Sequence, residues 1–351
     1  YIPGFDPRSE AYYKKLLLSQ FPHIKEHQLI NEKSRVVFET EDLEVDYEIL
    51  SWHKAVKAYW NSGFWGNLKN VKTIFRDYVF QGTWQRLFKL SRKDGLQKAF
   101  SPYFFFFWLL INIVGLFFIV NSGLKTENQG GGFLAQVIIF ILLNVMLYIG
   151  LNKLNLFWVN RIMNFFVLHS KKLDPLVIER EAVFKKEILT TLNSGQFDEV
   201  VVVAHSVGSI LCLDIMTELA EELKGEGLII VTLGHCVSGV SILPEADWFN
   251  ERLKLVENRK FKWIDVTAGK DAVTFYKVTP AYHSHILPDL TLSAGFHRIF
   301  TRDFYKAVNW NFYKIHFLYL YNPQFPENSA FNYQKLLFDP QLFKQLNKAA
   351  S

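Results

Sequence analysis

The stretch Glu199-Val-Val-Val-Val-Ala-His-Ser-Val-Gly208 decides the fold of this chain of 351 residues. Its four consecutive valines predict a strand that is buried on both faces, as strands of parallel sheets are. A helical pattern begins directly afterwards and runs over residues 209–220. A serine on the sharp turn between them would project its hydroxyl above the sheet edge, as in a nucleophile elbow. Ser206 is therefore a candidate nucleophile, and its alternative role is to cap the following helix.

The composition narrows the classes of function. Half of the residues are hydrophobic and 33 are phenylalanine, which is heavy for a purely soluble protein. The net charge of +5 is modest, and neither a Gly-rich phosphate loop nor a basic repeat predicts a nucleotide or nucleic-acid partner. Cys212 and Cys236 are too few for a disulfide framework, so we expect small buried residues in a reducing compartment. Because the chain begins at Tyr1, we expect residues before it, and an N-terminal signal stays open.

Two uncharged apolar segments predict a transmembrane helical hairpin. The first spans residues 100–120 and the second residues 133–152, and apolar residues resume at 154–159. Each segment is long enough to cross a hydrocarbon core about 30 Å thick. Residues 121–132 are polar and include three consecutive glycines, as expected of an exposed turn. The alternative is a pair of buried core helices.

The placement of the cations predicts the orientation of this hairpin. Basic residues lie at both of its ends: Arg86, Lys89, Arg92, Lys93 and Lys98 before it, and Lys153, Arg161, Lys171 and Lys172 after it. In the connecting turn, Lys125 is offset by Glu127. By the positive-inside tendency, both ends face the cytoplasm. We therefore expect a multi-pass protein of the cytoplasmic (inner) membrane whose other residues face the cytoplasm.

The segment before the first span, residues 52–93, mixes aromatic residues with cations. Its aromatic residues include Trp60, Phe64, Trp65, Phe75, Phe80, Trp84 and Phe88. Such a mixture is typical of helices that lie at a membrane interface, with the rings inserted and the cations near headgroups. Ordinary packing against a folded domain is an equal alternative.

The remaining pattern predicts a mostly parallel α/β sheet. Further strands are expected at residues 45–50, 228–233 and 261–267. Helical patterns lie between several of them, notably at residues 174–192 and 244–256. Alternation of strands and helices favours parallel pairing, and the apolar hairpin interrupts it between the early strands and the elbow.

A serine hydroxyl becomes nucleophilic when a histidine, oriented by a carboxylate, removes its proton. When a serine stands on such an elbow, the acid and then the histidine follow it in the chain. Asp271 comes in the loop after the predicted strand at residues 261–267, where an acid belongs. Asp265 lies inside that strand and is the second choice.

Five histidines compete for the role of base or for other roles. His316 comes late enough in the chain to follow the final strand, and His297 follows a glycine in an expected strand or turn. His283 and His285 form an H-x-H pair that could bind metal, but no cysteine or carboxylate cluster accompanies them. His205 precedes the serine, so its side chain should point away and support the site.

The oxyanion that forms on a substrate's carbonyl oxygen when Ser206 attacks needs two oriented backbone N–H donors. One would come from Val207, the residue after the serine. The other would come from the early loop at residues 1–8, from Phe5 or Gly4, between a strand end and a helix predicted at residues 9–18. The alternative is that this loop is only a tight Pro-Gly turn.

Together these residues resemble the α/β-hydrolase superfamily, and more narrowly a poorly characterised bacterial group of membrane-inserted α/β-hydrolases. The resemblance covers nearly the whole chain and rests on Tyr1-Ile-Pro-Gly-Phe-Asp-Pro-Arg8, Ile49-Leu-Ser-Trp52, Val203-Ala-His-Ser-Val-Gly208, Trp263-Ile-Asp-Val-Thr267 with Asp271, and Ile315-His-Phe-Leu-Tyr-Leu320. Two departures are Ala204 in place of the usual first glycine, and Ser51-Trp52-His53, where an acidic residue is expected after the tryptophan.

The resemblance implies Ser206 as nucleophile, Asp271 as acid and His316 as base, with no metal or organic cofactor. It implies an α/β-hydrolase-like, mostly parallel sheet whose two parts, residues 1–99 and 160–351, are separated by the inserted transmembrane hairpin at residues 100–159. We expect a membrane-anchored serine hydrolase that cleaves a small-molecule ester, a thioester or an acyl lipid. The rival expectations are a non-enzymatic interaction module with the same fold and an acyltransferase with the same triad.

Overall fold

The computed structural model describes residues 1–21, 26–28, 34–39, 43–60, 63–125, 130–220, 222–223, 228–278, 280, 286–308 and 311–338. The fold is mixed α/β, with most of the described residues in helices. The seven described strands are β1 (Glu26–Gln28), β2 (Arg35–Glu39), β3 (Glu44–Glu48), β4 (Val200–His205), β5 (Leu228–Leu233), β6 (Lys262–Thr267) and β7 (Leu290–Ser293).

The last four strands form a parallel sheet in the order β4-β5-β6-β7. The prediction of a parallel sheet and of the strands near residues 228–233 and 261–267 is confirmed. At its β4 edge the N-terminal segment adds a parallel bridge, because the N–H of Ile2 donates to the carbonyl of Val203 (2.8 Å). On its other side, the N–H of Leu50 donates to the carbonyl of Tyr1 (2.8 Å).

The described α-helices are α1 (Glu10–Gln20), α2 (His53–Trp60), α3 (Gly63–Ile74), α4 (Thr83–Leu90), α5 (Arg92–Lys125), α6 (Gly130–Lys153), α7 (Leu156–Ser170), α8 (Pro175–Asn193), α9 (Gly208–Leu219), α10 (Val237–Ser241), α11 (Asp247–Lys254), α12 (Phe296–Ile299), α13 (Arg302–Val308), α14 (Phe312–His316) and α15 (Tyr333–Phe338). A short π-helix follows α3 at Phe75–Phe80. Short 3₁₀-helices lie at Pro244–Ala246, Leu255–Asn258, Leu318–Leu320 and Pro326–Asn328. Asp174 caps α8 by accepting from the N–H of Val177 (3.2 Å).

The prediction placed residues 45–50 in the parallel sheet, and this is wrong. Strand β3 pairs with β2 in an antiparallel three-stranded sheet of order β1-β2-β3. The alternation of acidic residues with Val45 and Tyr47 gives β3 one apolar and one charged face, which an antiparallel sheet with one solvated side accommodates. On the charged face, Arg35 pairs with Asp46. The residues that follow β3, at Ile49 and Leu50, carry the chain to Tyr1 and the parallel sheet.

Helices α5 and α6 are the two apolar helices that the sequence predicts. Their apolar windows have a mean hydropathy of 2.4, and only 6% of either window is buried. The helices contact each other, since the indole Nε1 of Trp108 donates to Oδ1 of Asn144 (2.8 Å). The tip of the expected turn, residues 126–129, lies outside the described residues. Both helices are long and apolar enough to cross a membrane.

We expected the apolar hairpin to continue to residue 159, but a separate helix, α7, begins at Leu156. Asn155 adopts a left-handed conformation (φ 56°) that separates α7 from α6. Leu156, Phe157 and Trp158 are buried among protein side chains, unlike the exposed residues of α6. An apolar run alone does not distinguish a lipid-facing helix from a core helix, so the boundary at Asn155 was not predictable from composition.

In the aromatic segment before α5, some rings are buried in the core and others are exposed. Trp84 is buried in the main core, as packing against the domain predicts. Trp65 and Phe80 are 78% and 82% exposed, as an interfacial position predicts. The structure therefore assigns different roles to neighbouring rings of this segment.

Candidate active site

Ser206 occupies the turn between β4 and α9, in the strand–turn–helix order that the sequence predicts. Its φ of 58° lies in the left-handed region, where a residue with a Cβ is strained by about 1–2 kcal/mol. Non-glycine residues held in this region cluster at functional sites. Val207 and not Ser206 occupies the N-cap position of α9, so the alternative role of Ser206 as the helix cap is wrong.

Two glycines allow the elbow to form by close backbone approach. A Cβ at Gly208 would lie 2.6 Å from the carbonyl oxygens of both Ile2 and Pro3. A Cβ at Gly4 would lie 2.8 Å from the Cβ of Ser206. The N-terminal loop therefore runs directly across the elbow, and any side chain at either position would push the two apart.

Asp271 and His316 form a buried pair beside this elbow. The Nδ1–H of His316 donates to Oδ2 of Asp271 (2.7 Å), and the two residues are 1% and 2% exposed. Oδ1 of Asp271 accepts from the N–H of Val273 (3.1 Å), which fixes the carboxylate. With the proton on Nδ1, Nε2 of His316 is left free to accept another proton. No described residue forms a hydrogen bond with that Nε2.

The serine does not yet engage this histidine. The Ser206 hydroxyl contacts the Cys236 thiol instead (Oγ···Sγ 3.7 Å), and Ser206 is completely buried. Catalytic hydrogen bonds are often long in unliganded enzymes and tighten when substrate binds. The structure therefore contains the Asp271–His316 pair and a strained, buried serine, but no hydrogen bond between Ser206 and His316.

Phe5 and Val207 present backbone N–H groups at the elbow. Among the described residues, neither N–H has a hydrogen-bond acceptor. The carbonyls around Phe5 are already held, because Trp52 Nε1 donates to Pro3 O (2.8 Å) and Trp158 Nε1 donates to Phe5 O (2.9 Å). The loop is thus anchored through its carbonyls while its N–H groups stay available.

Sequence reasoning missed both tryptophans. Trp52 lies within the departure Ser51-Trp52-His53, and its indole anchors the early loop through the carbonyl of Pro3. Trp158 also packs its ring 5.5 Å from the ring of His316, so one side chain contacts both the loop and the candidate base. The signal available in the sequence was the tryptophan in the Ile49-Leu-Ser-Trp52 motif; no comparable signal marked Trp158.

The other candidate acid and histidines make different contacts, are exposed or lie outside the described residues. Asp265 accepts from Thr232 Oγ1 (2.6 Å) and lies 3.8 Å from Nε2 of His235, so it faces a different histidine. His205 donates from Nε2 to the carbonyl of His316 (2.9 Å), in agreement with a supporting role. His297 is exposed on α12. His283 and His285 lie outside the described residues.

Burial keeps two neighbours of the serine uncharged. The pKa of His205 lies well below its usual range because the ring is desolvated and His316 is adjacent. Burial raises the pKa of the Cys236 thiol to about 12. Cys236 and Cys212 are both free and buried, as the sequence predicts. A neutral thiol is a poor nucleophile, so Cys236 does not compete with Ser206.

Comparison of the chain with protein-family models, curated proteins and solved structures finds no match. The inference of function therefore starts from the geometry around Ser206.

Proposed function

We propose that this protein is a membrane-anchored serine hydrolase that cleaves an ester or thioester with Ser206, His316 and Asp271. One observation carries the proposal: a buried Asp271–His316 pair lies beside a serine that is held at positive φ between a strand and a helix. Strain at a nucleophile and a paired, buried imidazole are each costly, and together they are typical of an acyl-transfer site.

The proposed chemistry follows from the positions of the side chains. Ser206 Oγ attacks the acyl carbonyl while Nε2 of His316 takes its proton, and Asp271 stabilises the imidazolium. The N–H groups of Val207 and Phe5 stabilise the oxyanion. His316 then returns the proton to the departing alcohol or thiol, which leaves an acyl-serine. A water molecule, deprotonated by His316, attacks this acyl-serine and releases the carboxylic acid and the free serine.

The connection of the sheets supports an α/β-hydrolase-like fold. Backbone bonds run from the end of β3 through Tyr1 and Ile2 to β4 and onward to β7. The loop after Ile2 leads into α1 and crosses the elbow, where this fold supplies its second oxyanion N–H. Acid and base follow the serine in chain order, as in that fold.

The proposed substrate is an acyl lipid that reaches the site from the membrane side. A narrow cleft of about 40 Å³ lies between the start of α5, α7 and the loop after Asp271; its apolar lining includes Phe100, Ile162, Met163, Phe166, Val273 and Phe312. Val273 links the cleft to the serine, since its carbonyl contacts Cys236 Sγ (3.9 Å). The buried Lys98 of α5 donates to the carbonyl of Thr274 (2.7 Å), which ties the apolar helix to the acid loop.

Membrane insertion of α5 and α6 explains their exposed apolar surface. The low burial of both apolar windows, 6% of each, supports insertion over the alternative of a pair of buried core helices. An exposed apolar surface of this extent requires a covering partner, and lipid fits its length. With the cations at both ends, we propose that the loop between the helices faces outward and the catalytic residues face the cytoplasm.

Cysteine labelling tests this orientation. In intact cells, Asn128→Cys in the connecting loop is expected to react with a membrane-impermeant maleimide. The matched variant Lys186→Cys, at an exposed position of α8, is expected to react only after permeabilisation. Native Cys212 and Cys236 are buried and give little background. Equal labelling of both variants in intact cells, or release of the protein by alkaline carbonate, contradicts the proposed insertion.

Replacing the acid tests the triad. Asp271→Asn is expected to lower kcat for p-nitrophenyl ester cleavage by roughly 10⁴-fold, because His316 loses the partner that sets its tautomer. Asp265→Asn, the matched change at the other candidate acid, is expected to change kcat by less than about 10-fold in folded protein, since Asp265 faces His235. Equal losses in the two variants contradict the assignment of Asp271.

An acyltransferase is the second candidate function, and the burial of Ser206 favours it, since a closed site excludes competing water. Product analysis with added long-chain alcohols separates the two. Free fatty acid as the main product supports the hydrolase, and transfer of most acyl groups to the alcohol supports the transferase.

A further inference from the structure

A second cluster of titratable side chains lies away from Ser206, where three helices meet. His169 comes from the end of α7, Glu181 from α8 and Asp214 from α9. One ligand atom from each side chain lies within 4.8 Å of the others. The three residues line a cavity of about 230 Å³. Neither the proposed chemistry nor the sequence motifs assign a role to this cluster.

The cluster contains polar atoms that lack partners. Nε2 of His169 is buried and forms no hydrogen bond with a described residue, and His169 is 5% exposed. Oε1 of Glu181 is likewise buried without a hydrogen-bond donor among the described residues. Leaving such atoms unsatisfied costs about 1–3 kcal/mol each, so a ligand that they share would recover this energy.

Aromatic rings and one cation surround two of the three donor side chains. The ring of His169 stacks on Phe165 (centroids 5.4 Å apart) and meets the ring of Phe249 edge-on. Arg252 Nη2 lies 3.0 Å from Oδ1 of Asp214, which orients that carboxylate. Partners of this kind commonly orient metal ligands from behind.

The charge of the cavity favours a divalent cation. The charged residues that line it are Lys172, Arg252, Asp174, Glu181, Asp214 and Glu218. The lining thus contains four carboxyl groups and two basic groups, so oxygen ligands for a cation outnumber the competing cations.

We propose that His169, Glu181 and Asp214 bind a divalent transition-metal ion, preferentially zinc. One imidazole and two carboxylates form a donor set that zinc accepts at about 2.0–2.2 Å, and the cavity leaves room for water as a fourth ligand. Mg²⁺ and Ca²⁺ prefer all-oxygen sites, so the imidazole selects against them. Ligands around one zinc ion lie about 3–4 Å apart, and side-chain rotation closes the difference from 4.8 Å.

The proposed ion has a structural role, because it joins three helices that connect different parts of the protein. Helix α7 continues from the apolar hairpin and carries Trp158, whereas α9 begins at the elbow. An ion between α7, α8 and α9 therefore fixes the elbow helix to the helix that follows the membrane hairpin. This role does not depend on whether Ser206 is catalytic.

Zinc binding is measured on the tag-free protein in detergent, which is stripped of metal with a chelator, incubated with zinc and then desalted. The parent is expected to retain one zinc ion per chain after desalting and to show a higher Tm with zinc than without it. Glu181→Gln is expected to weaken zinc affinity by at least roughly 10- to 100-fold, since loss of an outer-shell partner alone has that effect. Addition of Mg²⁺ in place of zinc is expected to leave the Tm unchanged.

Glu179→Gln is the matched control, because Glu179 is exposed on the same helix, and this variant is expected to bind zinc like the parent. The metal-free Tm of Glu181→Gln reports whether the variant is folded; should it unfold, His169→Gln takes its place. The proposal is overturned if the parent retains no zinc after zinc is added back and the excess is removed, or if Glu181→Gln and His169→Gln bind zinc as tightly as the parent.

Discussion

Ser206→Ala is expected to lower the rate of ester cleavage by roughly 10⁶-fold, to the level of the uncatalysed reaction plus binding effects. The reason is that the attacking hydroxyl is lost, and the Cys236 thiol that contacts it is not expected to replace it. Burial raises the pKa of that thiol to about 12, so it stays protonated at pH 7. The measurement is turnover of p-nitrophenyl esters by protein in detergent and in vesicles.

Ser206→Gly separates loss of function from loss of folding. Glycine adopts a φ of 58° without strain, so this variant is expected to be inactive and yet to gain about 1 kcal/mol in free energy of unfolding. Ser194→Ala, at an exposed serine after α8, is the matched control and is expected to keep full activity. Activity that persists in Ser206→Ala and Ser206→Gly contradicts the assignment of the nucleophile.

His316→Gln is expected to cause a loss of the same size, roughly 10⁶-fold, because serine and base act as one unit. The double variant Ser206→Ala/His316→Gln is expected to be no slower than either single variant for the same reason. Glutamine keeps a hydrogen-bonding side chain in the buried position beside Asp271 but accepts no proton there. The measurement is kcat for p-nitrophenyl esters, compared between the single and double variants.

The remaining candidate histidines supply the controls for this prediction. His297→Gln, at an exposed position of α12, is expected to retain kcat within about threefold. His283→Gln and His285→Gln are expected to do the same, because the base is assigned to His316. A loss at any one of them that equals the loss at His316 contradicts the assignment of the base.

Local sequence was sufficient to predict the elbow and the apolar helices. Four valines, a serine and a following helical pattern are contiguous, so short-range rules describe β4, Ser206 and α9. The hairpin was predictable because length and lack of charge are also local properties. Asp271 and His316 were assigned by chain order and resemblance, and the structure places their side chains 2.7 Å apart.

Other features could not be predicted from the sequence, most of them because they join residues far apart in the chain. Strand β3 pairs with β2, the strand before it in the chain, and its pairing was missed because no strand was predicted at Arg35–Glu39. The contacts of Trp158 with Phe5 and His316 join parts of the chain more than 150 residues apart. For the same reason His169, Glu181 and Asp214 show no motif, since each lies on a different helix.

The direct measurement of the central assignment is identification of the residue that reacts with a serine-directed fluorophosphonate. The probe is added to membranes that contain the full-length protein, and the modified peptide is identified by mass spectrometry. We predict a single adduct on Ser206 that is absent in Ser206→Ala and greatly reduced in His316→Gln. An adduct on another serine, an adduct that survives Ser206→Ala, or no incorporation into the parent would contradict the account; the last result would favour a non-enzymatic interaction module.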